Sequence, residues 1–233
     1  MLLERQSKQA QASIRKPRES WMVSELCRLF LGNRYAVVDC PTRLKRNRNT
    51  VTDIDAAVLD RTTGELGLFQ LKWQDFSIND IREARSRAKN FVEQVDSWAN
   101  KTQLWVNDSG ARALCQTLRL KLAAHEQITA VRLFAIGRSA SRFQSYGYAT
   151  TSRNLAVCTW SQFVRLRYEI GPVINVLKSL HERVQREYTH PAKKKELSHE
   201  IIAADQKILL ENFWNLYDDD ETNLPDGPID ETP

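Results

Sequence analysis

The spacing of apolar and polar positions divides the chain into short strands and longer helices. Residues 78–99 are the clearest segment. Ile78, Ile81, Ala84, Ala88, Phe91, Val92, Val95 and Trp98 recur at helical period and form one apolar stripe. Ser20 to Leu31 reads as an earlier helix, with Ser20 as its cap and Gly32-Asn33 as its stop. Short apolar runs predict strands at Arg34–Cys40, Ile54–Asp60 and Glu65–Trp73, the last two joined by a turn at Arg61–Gly64. Residues 102–107 read as a further strand and 110–124 as a helix. Ile128–Gly137 and Arg153–Cys158 read as strands, with helices expected from Thr159 or Ser161, over 172–188 and over 195–216. Pro41–Asn49, with one leucine among its charges, reads as a loop.

This order predicts an α/β fold, a mixed central sheet flanked by helices with extra C-terminal helices. The expected organisation is a basic arm over 1–19, the α/β domain over 20–170, a helical extension over 171–216 and an acidic disordered tail over 217–233.

Charge changes the picture more than composition does. The chain has 233 residues and a formal charge of +5, with 34 Lys and Arg against 29 Asp and Glu. Eight of those acids lie from Glu211 onward with no Lys or Arg among them. Residues 1–210 therefore hold 34 cations against 21 acids, a charge of +13. Such a body expects an anionic partner. No apolar run is long enough for a membrane span, and Met1–Trp21 lacks a signal-peptide core, so a cytoplasmic protein without a membrane partner is expected. Cys27, Cys40, Cys115 and Cys158 are dispersed and the four histidines form no ligand motif, which argues against structural zinc and a disulfide framework.

One constellation carries chemistry. Gln70 and Lys72 interrupt an otherwise apolar strand and share one of its faces. Burying an amide and an ammonium there costs free energy unless they have partners. Asp55 opens the preceding strand, and a hairpin would bring its carboxylate beside them. Acid, amide and ammonium suit phosphodiester hydrolysis assisted by Mg2+ or Mn2+. Asp55, Gln70 and the Leu71 carbonyl would supply oxygen ligands, and Lys72 would orient the attacking water or stabilise charge on the phosphate. Asp53 is an accessory acid. Asp55 is favoured over it because the apolar run begins immediately after Asp55.

Asp55 followed by Gln70-Leu71-Lys72 on the next strand resembles the PD-(D/E)XK, or restriction-endonuclease-like, nuclease superfamily. There a helix precedes a three-stranded meander, the Asp opens the second strand and the (D/E/Q)-x-K triplet sits on the third. The resemblance covers roughly residues 20–160. It implies a metal-dependent nuclease and gives Glu25, on the first helix, the place of a further acidic ligand. Gln94 and Trp98 fit a Gln-and-aromatic pair carried by some branches on the helix after the triplet. The triplet begins with Gln rather than Glu or Asp, as in the Mrr-type branch, and no proline precedes Asp53 or Asp55. A neutral ligand removes one negative charge and so weakens metal binding.

Arg43, Lys45, Arg46 and Arg48, leading into Asp53, are the expected contacts to a nucleic-acid backbone, together with Arg87 and Gln94 on the 78–99 helix. The expected substrate is DNA, with RNA open on charge alone. The other reading is a catalytically inactive member of the same fold that binds nucleic acid or assembles a complex. The C-terminal helices are the expected place for a homodimer or a protein partner.

Overall fold

The structure, a computed structural model, describes residues 20–73, 81–138, 148–189, 196–203 and 206–214. The expected arm over 1–19 and the acidic tail lie outside the described residues. The chain divides into two compact units, 1–188 and 189–233.

In the first unit, helix α1 (20–28) is followed by a turn in which Gly32 takes a φ of +99°, which favours glycine. Then come strands β1 (Tyr35–Val38), β2 (Thr42–Arg46), β3 (Asn49–Ile54), β4 (Ala56–Asp60) and β5 (Glu65–Lys72). Helix α2 (Ile81–Thr117), strands β6 (Ala130–Gly137) and β7 (Leu155–Thr159), and helices α3 (Trp160–Ile170) and α4 (Val176–Thr189) follow. The five-stranded sheet has the order β1-β4-β5-β6-β7. β1, β4 and β5 form an antiparallel meander, and β6 and β7 continue it in parallel. This is the expected α/β class with a mixed sheet flanked by helices.

The sheet is apolar on both faces because each is covered. Leu66 and Leu68 of β5 pack with Phe91, Val92, Val95 and Trp98 of α2. Phe69 and Leu71 point the other way, toward Met22 and Leu26 of α1, Phe30 in the turn after it, Phe163 of α3 and Leu177 and Leu180 of α4. Phe69 stacks on Phe134 at 4.9 Å between ring centroids, and Phe163 meets both edge-on. Since α4 belongs to this core, the first unit extends past residue 170, the boundary expected from the sequence.

Three expected elements are corrected. Residues 42–46 are a strand: β2 pairs with β3 in an antiparallel ribbon closed by Asn47 and Arg48, both at positive φ (+49° and +69°). Two left-handed residues are what a two-residue turn needs to match strand twist. Residues 102–107 are helical and lie within α2. The helical run breaks instead at Gly110, where φ +81° and ψ 163° are open to glycine. In the second unit, residues 196–214 are not a helix. Strands β8 (Glu196–Ala203) and β9 (Gln206–Trp214) pair as an antiparallel hairpin.

Candidate active site at the end of the third meander strand

The site begins where β4 and β5 part. Their ladder ends at the Ala56–Phe69 pair. Beyond it the Leu71 N–H on that side loses its strand partner, and an unpaired buried amide costs about 1–3 kcal/mol. The Asp55 carboxylate takes the vacated place. Its Oδ2 accepts from the Leu71 amide at 2.7 Å and from Gln70 Nε2 at 2.5 Å, while the Asp55 amide donates to the Phe69 carbonyl at 3.0 Å. The buried Gln70 side chain is thus satisfied by a charged acceptor, the arrangement that makes an amide affordable inside a sheet.

Gln70 and Lys72 follow Leu66 and Leu68 on the α2 face of β5. They line a cleft of about 380 Å³ between that strand end, Thr52 and Asp53 of β3, and one face of α2. From α2 come Asn90, Glu93, Gln94, Ser97, Trp98 and Lys101. Asp53 is held from behind, because its carbonyl accepts from the Trp98 indole at 2.7 Å. The cleft thus presents two carboxylates, Asp53 and Glu93, beside two ammonium groups, Lys72 and Lys101. Asp55 does not line it and stands against Gln70 and Leu71.

The predicted residues therefore separate. Asp55, Gln70, Leu71 and Lys72 come together, with Leu71 contributing its N–H. Asp53 and Gln94 line the cleft with Gln70 and Lys72. Glu25 does not line the cleft. It lies on α1, whose apolar side packs on the opposite sheet face, and it pairs with Arg28 at 2.8 Å. Arg87, on α2, does not line the cleft either. Arg43, Lys45 and Arg48 are exposed on the β2–β3 ribbon, where Arg43 stands directly across from Asp53. Arg46 is spent on an ion pair with Asp108. Among the described residues, no three His, Cys, Asp or Glu side chains group as a metal site.

Sequence reasoning missed Asn90, Glu93, Ser97 and Lys101. Their spacing is a helical period, and it marks a polar stripe beside the apolar one. Asn90, Glu93 and Ser97 fall within the expected 78–99 helix, and ending it at 99 left out only Lys101.

No protein-family model, curated protein or solved structure matches this chain. Among the described residues, no helix is long and apolar enough to cross a membrane.

Proposed function

We propose that the protein is a metal-dependent nuclease acting on DNA, resembling the restriction-endonuclease-like superfamily in fold and in its catalytic strand. One observation carries the reading. Asp55 holds Gln70 and Leu71 where the second and third strands of an antiparallel meander separate, and Gln70 and Lys72 face the cleft lined by the following helix. The order of elements supports it too: helix, three-stranded meander, helix, then a parallel strand.

The donors fit a magnesium ion that keeps most of its waters, since such ions often take only one or two carboxylates from the protein. Asp55 supplies the carboxylate. Gln70 donates to it through nitrogen and so offers its amide oxygen as a neutral ligand. When bound, the ion would lower the pKa of the attacking water and share charge with the phosphate. Lys72, two residues along the same strand face, stabilises the negative charge that grows on the phosphate and orients the water. Asp53 and Glu93 hold that water by hydrogen bonds, and Lys101 anchors the flanking phosphate.

The test is nicking and linearisation of plasmid DNA with magnesium or manganese. Lys72→Ala and Asp55→Ala are each expected to lower the rate by at least about a hundredfold, the scale of losing one electrostatic stabiliser. Equal rates for wild type and Lys72→Ala refute the catalytic role.

A second reading has its own observation. Asp55 Oδ2 is already shared between the Gln70 amide and the Leu71 N–H. That bond closes the strand end without a metal, as expected of a nuclease fold turned into a nucleic-acid-binding module. Calorimetric titration with manganese separates the two: binding lost in Asp55→Ala favours the nuclease, and no binding by wild type favours the module.

A further inference from the structure

The β2–β3 ribbon is built more rigidly, and ends more expensively, than a connection from β1 to β4 requires. Leu44 and Ile54 are fully buried against the α2 core. Two indoles of α2 clamp its two strands, Trp105 donating to the Lys45 carbonyl at 2.9 Å and Trp98 to the Asp53 carbonyl at 2.7 Å. The bulge beyond Leu44 leaves Val51 as the extra residue of β3, which sharpens the ribbon's twist.

At its tip the sequence breaks a local rule. A two-residue turn with both residues left-handed takes Asn-Gly for folding alone. Here Asn47 occupies the first position, which asparagine tolerates, and Arg48 the second, at φ +69°. A side chain with a Cβ loses stability in that conformation. Arg48 recovers nothing by packing, being exposed, and among the described residues no acid pairs with it, with Arg43 or with Lys45. Strain kept at an exposed cationic tip points to a ligand rather than to the fold.

We propose that this ribbon enters the major groove of duplex DNA, with Arg48 as its leading contact. The proposal rests on the nucleic-acid reading above and adds to it the form of the substrate. Two strands about 4.8 Å apart, with their side chains, match a major groove about 12 Å wide, which admits a two-stranded ribbon. A-form RNA has a deep, narrow major groove that side chains do not read, and a single strand has no groove. The geometry also sets reach. From the Arg43–Asp53 pair at the cleft to the turn is four residues of strand, roughly 13 Å, or about four base pairs of duplex. The cleft and the tip therefore address the same duplex on one side, the cleft at a phosphate and the tip in the neighbouring groove.

The experiment measures binding by fluorescence anisotropy in EDTA, so that cleavage plays no part. The probes are a DNA duplex, its single strand and an RNA duplex of the same sequence. Arg48→Gly and Arg48→Asn both suit the left-handed turn, so the melting temperature should hold or rise. Both are expected to weaken duplex DNA binding several-fold, to reduce the slope of log affinity against log salt by about 0.9, and to leave the two other probes unchanged. Unaltered duplex binding, or equal losses on all three probes, overturns the proposal. If Lys72→Ala abolishes cutting while Arg48→Gly binds duplex normally, the ribbon proposal fails and the nuclease reading stands. If wild type cuts nothing while Arg48→Gly loses duplex affinity alone, the ribbon stands on the binding-module reading.

Discussion

Gln70→Glu puts a charge where the structure holds a hydrogen bond. In the wild type, Gln70 Nε2 donates to Asp55 Oδ2 at 2.5 Å, and a bond to a charged acceptor is worth about 1.5–3 kcal/mol. The substitution replaces that donor with a second carboxylate. Two unit charges about 4 Å apart at an effective dielectric near 20 repel by about 4 kcal/mol. Protonation of one of them caps the cost. Holding a carboxyl of ordinary pKa near 4.3 protonated at pH 7 takes about 3.7 kcal/mol. Both routes lead to a loss of about 3–4 kcal/mol at pH 7, a melting point lower by about 10 °C for a unit of this size. The sign with pH follows from the raised carboxyl pKa of the folded variant. Its deficit is small near the unfolded pKa and grows as pH rises toward the folded one, so the gap to wild type narrows to about 1 kcal/mol at pH 5. A divalent ion should reverse the deficit, because it binds the paired carboxylates of the folded state. At a hundredfold excess over its dissociation constant it returns about 2.7 kcal/mol. Scanning calorimetry at pH 5 and pH 7, with and without manganese, measures all of this. A variant as stable as wild type at both pH values, with no response to manganese, refutes the Asp55–Gln70 contact and the site built on it.

Two further outcomes bear on the frame around the site. Gly64→Ala sets a Cβ 2.2 Å from the Gln127 carbonyl oxygen in a residue at φ +72°, and thermal denaturation should show a loss of at least about 2 kcal/mol; a loss below about half that would mean the turn shifts freely. His181 is buried against Phe134, and its Nε2 donates to the Asn154 carbonyl at 3.0 Å, and burial holds its pKa below the ordinary histidine value. Its neutral form is full strength above about pH 6.5, and stability falls as pH drops below that, by up to about 1.4 kcal/mol per unit. His181→Gln should therefore flatten the denaturant-measured stability profile between pH 6.5 and 5, and an unchanged slope would assign that acid sensitivity elsewhere.

What was legible in the sequence, and what was not, follows from where each element takes its stabilisation. β5 was readable because its information is local. Four apolar or small residues, Leu66 to Phe69, precede Gln70, strand parity puts Gln70 and Lys72 on one face, and an isolated amide in such a run demands a partner. Asp55 is that partner. The β2–β3 ribbon was not readable, because Thr42-Arg-Leu-Lys-Arg46 has one apolar residue and no Asn-Gly turn. Its strand state comes from pairing with β3 and from two indoles some 45 to 60 residues away. Residues 102–107 failed for a related reason. Phe91, Val95, Trp98, Thr102 and Trp105 continue a single helical stripe, but Thr102, although fully buried, is polar and hid the continuity, leaving the short apolar run Leu104-Trp105-Val106 in view. Glu25 shows the limit of an analogy of position. Helical spacing located it on α1 correctly, whereas the face α1 presents is chosen by Met22, Leu26 and Phe30, which pack against Phe69 and Leu71 on the side of β5 away from Lys72. A cleft on the α2 face draws its charged groups from α2 and β3, so Glu93 and Asp53 line it and Glu25 does not. If a second acid serves this chemistry, the fold's own geometry nominates Glu93 or Asp53, and a Glu25→Ala variant should cut DNA at the wild-type rate under the plasmid assay.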